Sequence, residues 1–266
     1  MADAARNAEA AGISTLWFPE HVVFVKGATS QYPYGTLRMG ERPGVYDPII
    51  AMTVAATVTS KVRLGTGVLI LPQREPLTLA QQLVALDHAS TGRLDLGIGV
   101  GWLHEEFDAL GATWERRGER TDDYVDVLRK LWRDDVVDHH SDFVDIDGVL
   151  AWPKPAQADG IPIWVGGNSP AALRRTAKLG DGWFGWSLEI DEVTNAVTRL
   201  RAECEAIGRD PAEVRLKVGQ PGAGSHDERR AYAEGLMALG VEEFIVASGD
   251  VSTERLASLA ALGSPV

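Results

Sequence analysis

A glutamate and a histidine stand side by side where a short apolar run gives way to a long polar segment. Glu20 and His21 follow the apolar residues 13–18 and precede residues 22–46, which are rich in glycine, proline and tyrosine. Histidine changes its protonation near neutral pH and can donate or accept a proton during catalysis. A lone histidine is more often structural. Its place after a predicted strand and before a long loop favours a catalytic role for His21, with Glu20 beside it.

Two glycine-containing clusters end the next two apolar runs. The first consists of Gly65, Thr66, Gly67 and Val68, and the second, residues 97–102, reads GIGVGW. Glycine lets the backbone approach a flat ring closely, which predicts a ring-binding function for residues 65–68. A small-residue strand end inside a protein core is the alternative. The second cluster is close to a dinucleotide-binding fingerprint, but Trp102 occupies the place of the last glycine and the cluster does not open the first strand–helix unit.

A third cluster lies immediately before a predicted helix that begins at a proline. It consists of Gly166, Gly167, Asn168 and Ser169, followed by Pro170. Backbone N–H groups at the positive end of a helix dipole bind phosphate well. We therefore predict a phosphate site here, with a plain turn capped by Ser169 as the alternative.

Composition and charge argue against several other functions. The net charge of −12 argues against nucleic acid as a partner. The absence of a long apolar run and of a signal-like N-terminus predicts no membrane partner and a cytoplasmic location. The histidines and aspartates between 138 and 147 have no defensible metal-ligand spacing, so we predict a solvated acidic stretch and no metal.

Predicted strands and helices alternate along the whole chain. The predicted strands cover residues 13–18, 62–70, 93–99, 162–165, 182–185, 214–218 and 243–247. Such alternation favours a parallel sheet, either doubly wound or closed into a barrel. The candidate site residues follow at least four strands, as in barrel enzymes, rather than one switch point. We predict an α/β fold of the TIM (β/α)8 type, a single domain over residues 1–266, with residues 22–46 as a loop over the barrel mouth.

Several motifs together resemble the luciferase-like monooxygenase superfamily, and more narrowly its actinobacterial branch that uses the deazaflavin coenzyme F420. The resemblance covers nearly the whole chain. It is carried by Pro19-Glu20-His21, by STGRLDLGIGVGW at 90–102, by Glu106-Phe107 with Leu110-Gly111, by RGERTDDY at 117–124, by PIWVGGNS at 162–169 and by LGDGW at 179–183.

The resemblance implies roles for the clusters described above. Residues 65–68 would lie behind the deazaflavin ring, with a non-proline cis peptide bond between Gly67 and Val68. Gly99 would make room for the ring, Trp102 and Glu105 would lie near it, and residues 166–169 would bind the cofactor's phosphate. For Trp102 the alternative is core packing, and for Glu105 and Glu106 it is a favourable charge in the first turn of a helix.

The function that follows is an F420-dependent oxidoreductase that transfers a hydride between the deazaflavin and a small organic substrate. A monooxygenase that uses reduced FMN and oxygen is one alternative, and a cofactor-binding protein without turnover is another. A nicotinamide dehydrogenase with a Rossmann fold is the least favoured. We expect a homodimer, and nothing in the loop residues identifies the substrate.

One departure from the family pattern concerns the N-terminus. Family members begin with a strand before the first helix, whereas this chain begins three residues before the predicted helix at residues 4–11. The first barrel strand is therefore expected to be missing from this chain, which would leave two unpaired strand edges. A native start upstream of Met1 would resolve this departure.

Overall fold

Strands and helices alternate along the chain in the computed structural model, which describes residues 1–35, 44–220, 224–247 and 252–263. The strands are β1 (Thr15–Phe18), β2 (Arg63–Thr66), β3 (Leu69–Ile70), β4 (Leu94–Gly99), β5 (Val137–His140), β6 (Asp145–Val149), β7 (Ile163–Gly166), β8 (Gly182–Trp186), β9 (Arg215–Gln220) and β10 (Glu243–Val246). The helices are α1 (Ala2–Ala10), α2 (Pro48–Ala56), α3 (Pro76–Ser90), α4 (His104–Leu110), α5 (Arg117–Arg133), α6 (Pro170–Leu179), α7 (Ile190–Ala206), α8 (His226–Ala238) and α9 (Thr253–Ala260). Short 3₁₀ turns cover Leu71–Gln73, Pro211–Glu213 and Ala261–Gly263.

This order of elements is that of an α/β fold of the TIM type, which confirms the predicted fold class. Each predicted strand is present, but the one expected at residues 62–70 is interrupted at Gly67 and Val68, between β2 and β3. Residues 134–154, between two of the predicted strands, contain the antiparallel pair β5 and β6. The first element of the chain is the helix α1.

The chain divides into two compact units, which we describe separately. The first unit comprises Met1–Leu16, Val58–Arg63 and Pro162–Val266, and the second comprises Trp17–Thr57 and Leu64–Ile161. In the first unit, β7, β8, β9 and β10 are neighbours in that order and pair in parallel. In the second unit, β2 and β3 both pair in parallel with β4.

Amphipathic helices cover the sheet of the first unit. Side chains from α6, α7 and α8 pack with those of β8 and β9 in one buried cluster, to which Leu173, Val193, Leu200, Trp183 and Leu236 belong. Burying a side chain of this size stabilises the fold by about 1.5–3 kcal/mol. Cys204 is buried in the same cluster. Within the described ranges, none of the helices combines the length and the apolar character needed to cross a membrane.

Glycines on one strand make room for tryptophans of the neighbouring strand. A Cβ added at Gly182 would lie 2.2 Å from Cζ3 of Trp164, and one added at Gly219 would lie 2.2 Å from Cε3 of Trp186. Trp164 is fully buried. Because an indole ring is rigid and a core is close-packed, any side chain at these glycines would force the strands apart.

We expect Gly182→Ala to destabilise the protein by about 1–3 kcal/mol, because the added methyl group overlaps the buried Trp164 ring and has no space to move into. The free energy of unfolding in urea measures this loss. Gly44→Ala is the matched control, since a Cβ at Gly44 would meet no atom of the described residues within 4 Å. Equal stability of the two variants would contradict the packing argument.

Candidate active site

A buried glutamate holds His21 in place. Glu106 lies in the first turn of α4 and is completely buried, and its Oε2 is 2.8 Å from Nδ1 of His21. The other oxygen, Oε1, accepts hydrogen bonds from the backbone N–H groups of Val22, at 2.6 Å, and Val23, at 3.2 Å. One carboxylate therefore anchors three consecutive residues at the start of the long loop.

The contacts of Glu106 keep its carboxylate ionised. Burial by itself would raise the pKa of Glu106, but the hydrogen bond and charge of His21, with the N–H groups of Val23 and Val22, outweigh it, so the pKa is lowered. An ionised carboxylate can only accept hydrogen bonds, which assigns the Nδ1 proton to His21. Its Nε2 is then the atom that can exchange a proton with another molecule.

Glu20 has different partners from those expected of a catalytic group. It is buried, its Oε1 accepts hydrogen bonds from Nε (3.0 Å) and Nη2 of Arg74, and its Oε2 accepts one from Ile70 N at 2.5 Å. Burial raises the pKa of Glu20, although the charge and hydrogen bonds of Arg74 oppose it. These contacts use both carboxylate oxygens of Glu20. Glu20 was predicted to act beside His21, but its contacts in the structure are structural.

Residues 65–68 form a bulge between β2 and β3. The peptide bond between Gly67 and Val68 is cis, as the family resemblance implies. The N–H of Gly67 donates to Phe18 O at 2.8 Å, and the Thr66 hydroxyl donates to Gly97 O at 2.6 Å. These bonds tie the bulge to the strands on either side of β2.

The glycines around this bulge make room for protein atoms. A Cβ at Gly97 would lie 2.0 Å from Thr66 O, one at Gly99 would lie 2.7 Å from the Val68 side chain, and one at Gly65 would lie 2.5 Å from the Trp17 ring. The sequence suggested that Gly65 and Gly99 leave space for a ring. In the structure that space holds Trp17 and Val68, so these two glycines shape the bulge from behind.

Aromatic rings surround His21. The Trp102 ring lies edge-on to His21 with centroids 5.5 Å apart and edge-on to Tyr32 at 5.3 Å. The Phe24 ring is 4.5 Å from His21, and Tyr34 is 5.4 Å from Tyr32. The described part of the loop thus packs against the segment that follows β4, while residues 36–43 lie outside the described residues.

Glu105 also binds the loop, through one of its two carboxylate oxygens. Its Oε1 accepts hydrogen bonds from Thr29 N at 2.6 Å, Thr29 Oγ1 at 3.1 Å and Ser30 N at 3.2 Å. Hydrogen bonding by Ser30 and Thr29 lowers the pKa of Glu105 to about 2. Its Oε2 is buried and has no hydrogen-bond partner among the described residues.

The turn at residues 166–169, in the first unit, is held by its own side chains. Ser169 Oγ accepts from Ala172 N at 3.2 Å and caps α6. The Asn168 amide donates to Trp186 O at 2.7 Å and accepts from Trp186 N at 3.2 Å. Gly167 has φ +116°, a conformation that favours glycine. These contacts of Asn168 and Ser169 match the alternative to a phosphate site, a plain turn capped by Ser169.

The histidines predicted to lie in a solvated stretch differ in their surroundings. His139 is buried, with Nε2 2.9 Å from Asp123 and Nδ1 3.0 Å from Lys130 Nζ. His140 is exposed and lies 2.6 Å from Asp145. Over the described part of the chain, no group of three or more His, Cys, Asp or Glu side chains is arranged to hold a metal ion.

Comparisons with known proteins relate the whole chain to one family. A sequence model described as luciferase-like monooxygenase matches residues 1–260. An uncharacterised protein of Mycobacterium tuberculosis is 32% identical over 263 residues, which cover 97% of this chain and 90% of that protein. The FMNH(2)-dependent dimethylsulfone monooxygenase of Pseudomonas putida is 28% identical over 153 residues, which cover 56% of this chain and 42% of that protein.

A solved structure shares the fold. An F420-dependent secondary alcohol dehydrogenase, in complex with an F420–acetone adduct, has a TM-score of 0.78 and 17% identity, and the match covers 98% of this chain and 92% of that one. Identity this low shows a common fold alone.

We expect Glu106→Gln to reduce the free energy of unfolding by about 1–3 kcal/mol at pH 7, because it removes the charge that strengthens three hydrogen bonds. The folded-state pKa of Glu106 lies below the ordinary value of 4.5, so its stabilisation is present above that pH and is lost as pH falls through the folded value. The stability gap between native protein and variant should therefore close as the pH falls from 4.5 through the lowered folded-state pKa of Glu106.

Urea unfolding at several pH values between 7 and 3 measures this gap. The exposed Glu234→Gln controls for the loss of one negative charge. A gap that stays constant with pH would show that the charge of Glu106 does not stabilise the loop.

Proposed function

The chain belongs to the luciferase-like monooxygenase family, and from this premise we propose that it is an F420-dependent oxidoreductase that acts on a small organic substrate. The observation that carries the proposal is the His21–Glu106 pair, a histidine held by a buried carboxylate among aromatic rings. Motif resemblance to the F420-dependent branch supports the choice of cofactor.

A bound deazaflavin supplies a hydride at its C5 position and does not activate oxygen as a flavin does. The protein must then supply or remove the proton that accompanies the hydride. Nε2 of His21 has this role in our proposal, because Nδ1 is already bonded to Glu106. The ionised Glu106 accepts the hydrogen bond from Nδ1 and so fixes the orientation of the imidazole.

In the second unit, we assign the ring of the cofactor to the bulge at residues 66–68 and to Trp102, with Glu105 Oε2 accepting a ring N–H. Gly65 and Gly99 support this bulge from behind. As a separate assignment in the first unit, we propose that the turn at residues 166–169 accepts a phosphate through backbone N–H groups at the start of α6.

A monooxygenase that uses reduced FMN is the second candidate. The relative named as an FMNH(2)-dependent dimethylsulfone monooxygenase favours it. FMN and F420 share the ring N–H from which Glu105 would accept a hydrogen bond, so the same residues serve either cofactor. The cofactors differ in whether turnover consumes oxygen.

We expect purified protein to bind F420 at least about tenfold more tightly than FMN, a difference of roughly 1.4 kcal/mol. Titration followed by fluorescence quenching measures both affinities. Riboflavin, which lacks the phosphate of FMN, should bind more weakly than FMN if the turn at residues 166–169 holds a phosphate. Tight binding of FMN alone, with oxygen-dependent turnover, would replace the first candidate by the second.

We expect His21→Asn to lower turnover by about 10²–10⁴-fold, since it removes the group that moves the proton. The measurement is anaerobic oxidation of reduced F420 in the presence of a panel of ketones, enones and imines. Affinity for F420 should stay within about twofold, because the ring is assigned to other residues. His140→Asn, at an exposed histidine, is the matched control. Unchanged turnover in His21→Asn would remove His21 from the mechanism.

A further inference from the structure

One arginine joins the two ends of the long loop. Arg74 follows the 3₁₀ turn after β3, and its Nη2 donates both to Glu20 Oε1 and to Asp47 Oδ2, the latter at 2.8 Å. Glu20 is the residue before His21, and Asp47 is the residue before α2. The guanidinium thus binds one carboxylate on each side of the segment 21–46.

Each partner of Arg74 is fixed by a second contact. Glu20 Oε2 accepts from Ile70 N on β3, and Asp47 Oδ1 caps α2 by accepting from Ile49 N at 2.9 Å and Ile50 N at 3.0 Å. The Glu20 side chain is 1% exposed and that of Arg74 is 20% exposed. Because the pair is largely removed from water, neither partner can be lost without leaving a buried charge.

These contacts extend the anchoring of His21 by Glu106. Glu20 is held by Arg74 and Ile70, the His21 ring by Glu106 Oε2, and the N–H groups of Val22 and Val23 by Glu106 Oε1. Four consecutive residues are therefore tied to two other parts of the second unit. Glu106 fixes the direction of the imidazole, while Arg74 fixes the backbone from which it projects.

We propose that Arg74 is a positioning residue for His21 and that, through Glu20 and Asp47, it also fixes both ends of the loop. For its effect on turnover the inference rests on the proposed role of His21, but the anchoring itself does not. The geometry requires arginine, because its planar group presents several donors to two carboxylates. A lysine at this position has a single ammonium group and cannot maintain both pairs in the same geometry.

Hydrogen exchange of the cofactor-free protein, read by mass spectrometry, tests the anchoring. Arg74→Lys should increase exchange roughly tenfold or more at residues 20–24 and at residues 44–50, the factor that loss of a charged hydrogen bond implies. Asp47→Ser keeps a helix cap but removes the second carboxylate, so exchange should rise at residues 44–50 alone. Arg6→Lys, at an exposed ion pair, is the matched control.

The double variant Glu20→Met with Arg74→Met separates a loss of anchoring from a general loss of folding. It replaces the buried ion pair with apolar side chains, a change that commonly preserves folding. Exchange at residues 20–24 should rise in this variant as well, and carbethoxylation of His21, mapped by peptide, should become several times faster while that of His140 does not change.

Three results would overturn the proposal. These are exchange at residues 20–24 within twofold of the native protein in both Arg74 variants, an increase spread evenly over the second unit, and an unchanged His21 labelling rate. None of these measurements involves a cofactor, so failure to bind F420 or FMN would refute the proposed function and leave this test intact. Where turnover is found, Arg74→Lys should lower kcat with the affinity for the cofactor unchanged.

Discussion

The buried carboxylate of Glu106 is the interaction on which the arrangement around His21 depends. A carboxylate taken out of water is costly unless its oxygens are bonded, and here an imidazole and two backbone N–H groups bond them. The donors all come from the start of the loop, more than eighty residues earlier in the chain. The start of the loop therefore packs onto α4 in the same step in which the Glu106 carboxylate gains its hydrogen bonds.

A second constraint is the close approach of the strands around the bulge. Gly97 and Gly99 on β4 let the backbone at Thr66 and the side chain of Val68 come near, while Gly65 admits the Trp17 ring. The same device recurs in the first unit, where Gly182 and Gly219 face tryptophans. In both units, a glycine on one strand leaves room for a tryptophan ring or for the bulge on the neighbouring strand. The glycines thus allow the close approach of neighbouring strands on which the shape of the bulge depends.

The sequence predicts the elements well and the partners of individual charges poorly. Apolar runs and turn residues locate the seven predicted strands, although the one at residues 62–70 is interrupted and the pair β5 and β6 is additional. An aspartate followed by a proline is typical of a helix start, and the structure has this cap at Asp47 before α2. Partner choice depends on contacts between distant residues, which a linear pattern does not contain. Glu106 in a first helical turn is indistinguishable by sequence from an acid that merely favours the helix dipole.

The same limitation explains Glu20, whose adjacency to His21 suggested a shared role. In the structure Glu20 accepts hydrogen bonds from Arg74 and Ile70, whereas His21 contacts Glu106. Of the two glutamates in the first turn of α4, the family resemblance places Glu105 near the ring and gives Glu106 no role in the site. The structure distinguishes them, since Glu105 binds Thr29 and Ser30 and Glu106 binds His21.

The two buried glutamates beside His21 also differ in charge behaviour, and the difference separates their roles. Burial dominates at Glu20 and raises its pKa, with Asp47 adding a like charge, whereas at Glu106 the bonded donors prevail and lower the pKa. A carboxylate that stays ionised beside an imidazole accepts its N–H and so fixes the direction of the ring. A carboxylate whose charge is costly requires its arginine, and Arg74 in turn reaches Asp47. In the function proposed above, Glu106 orients the His21 ring directly, and Arg74 positions His21 through Glu20.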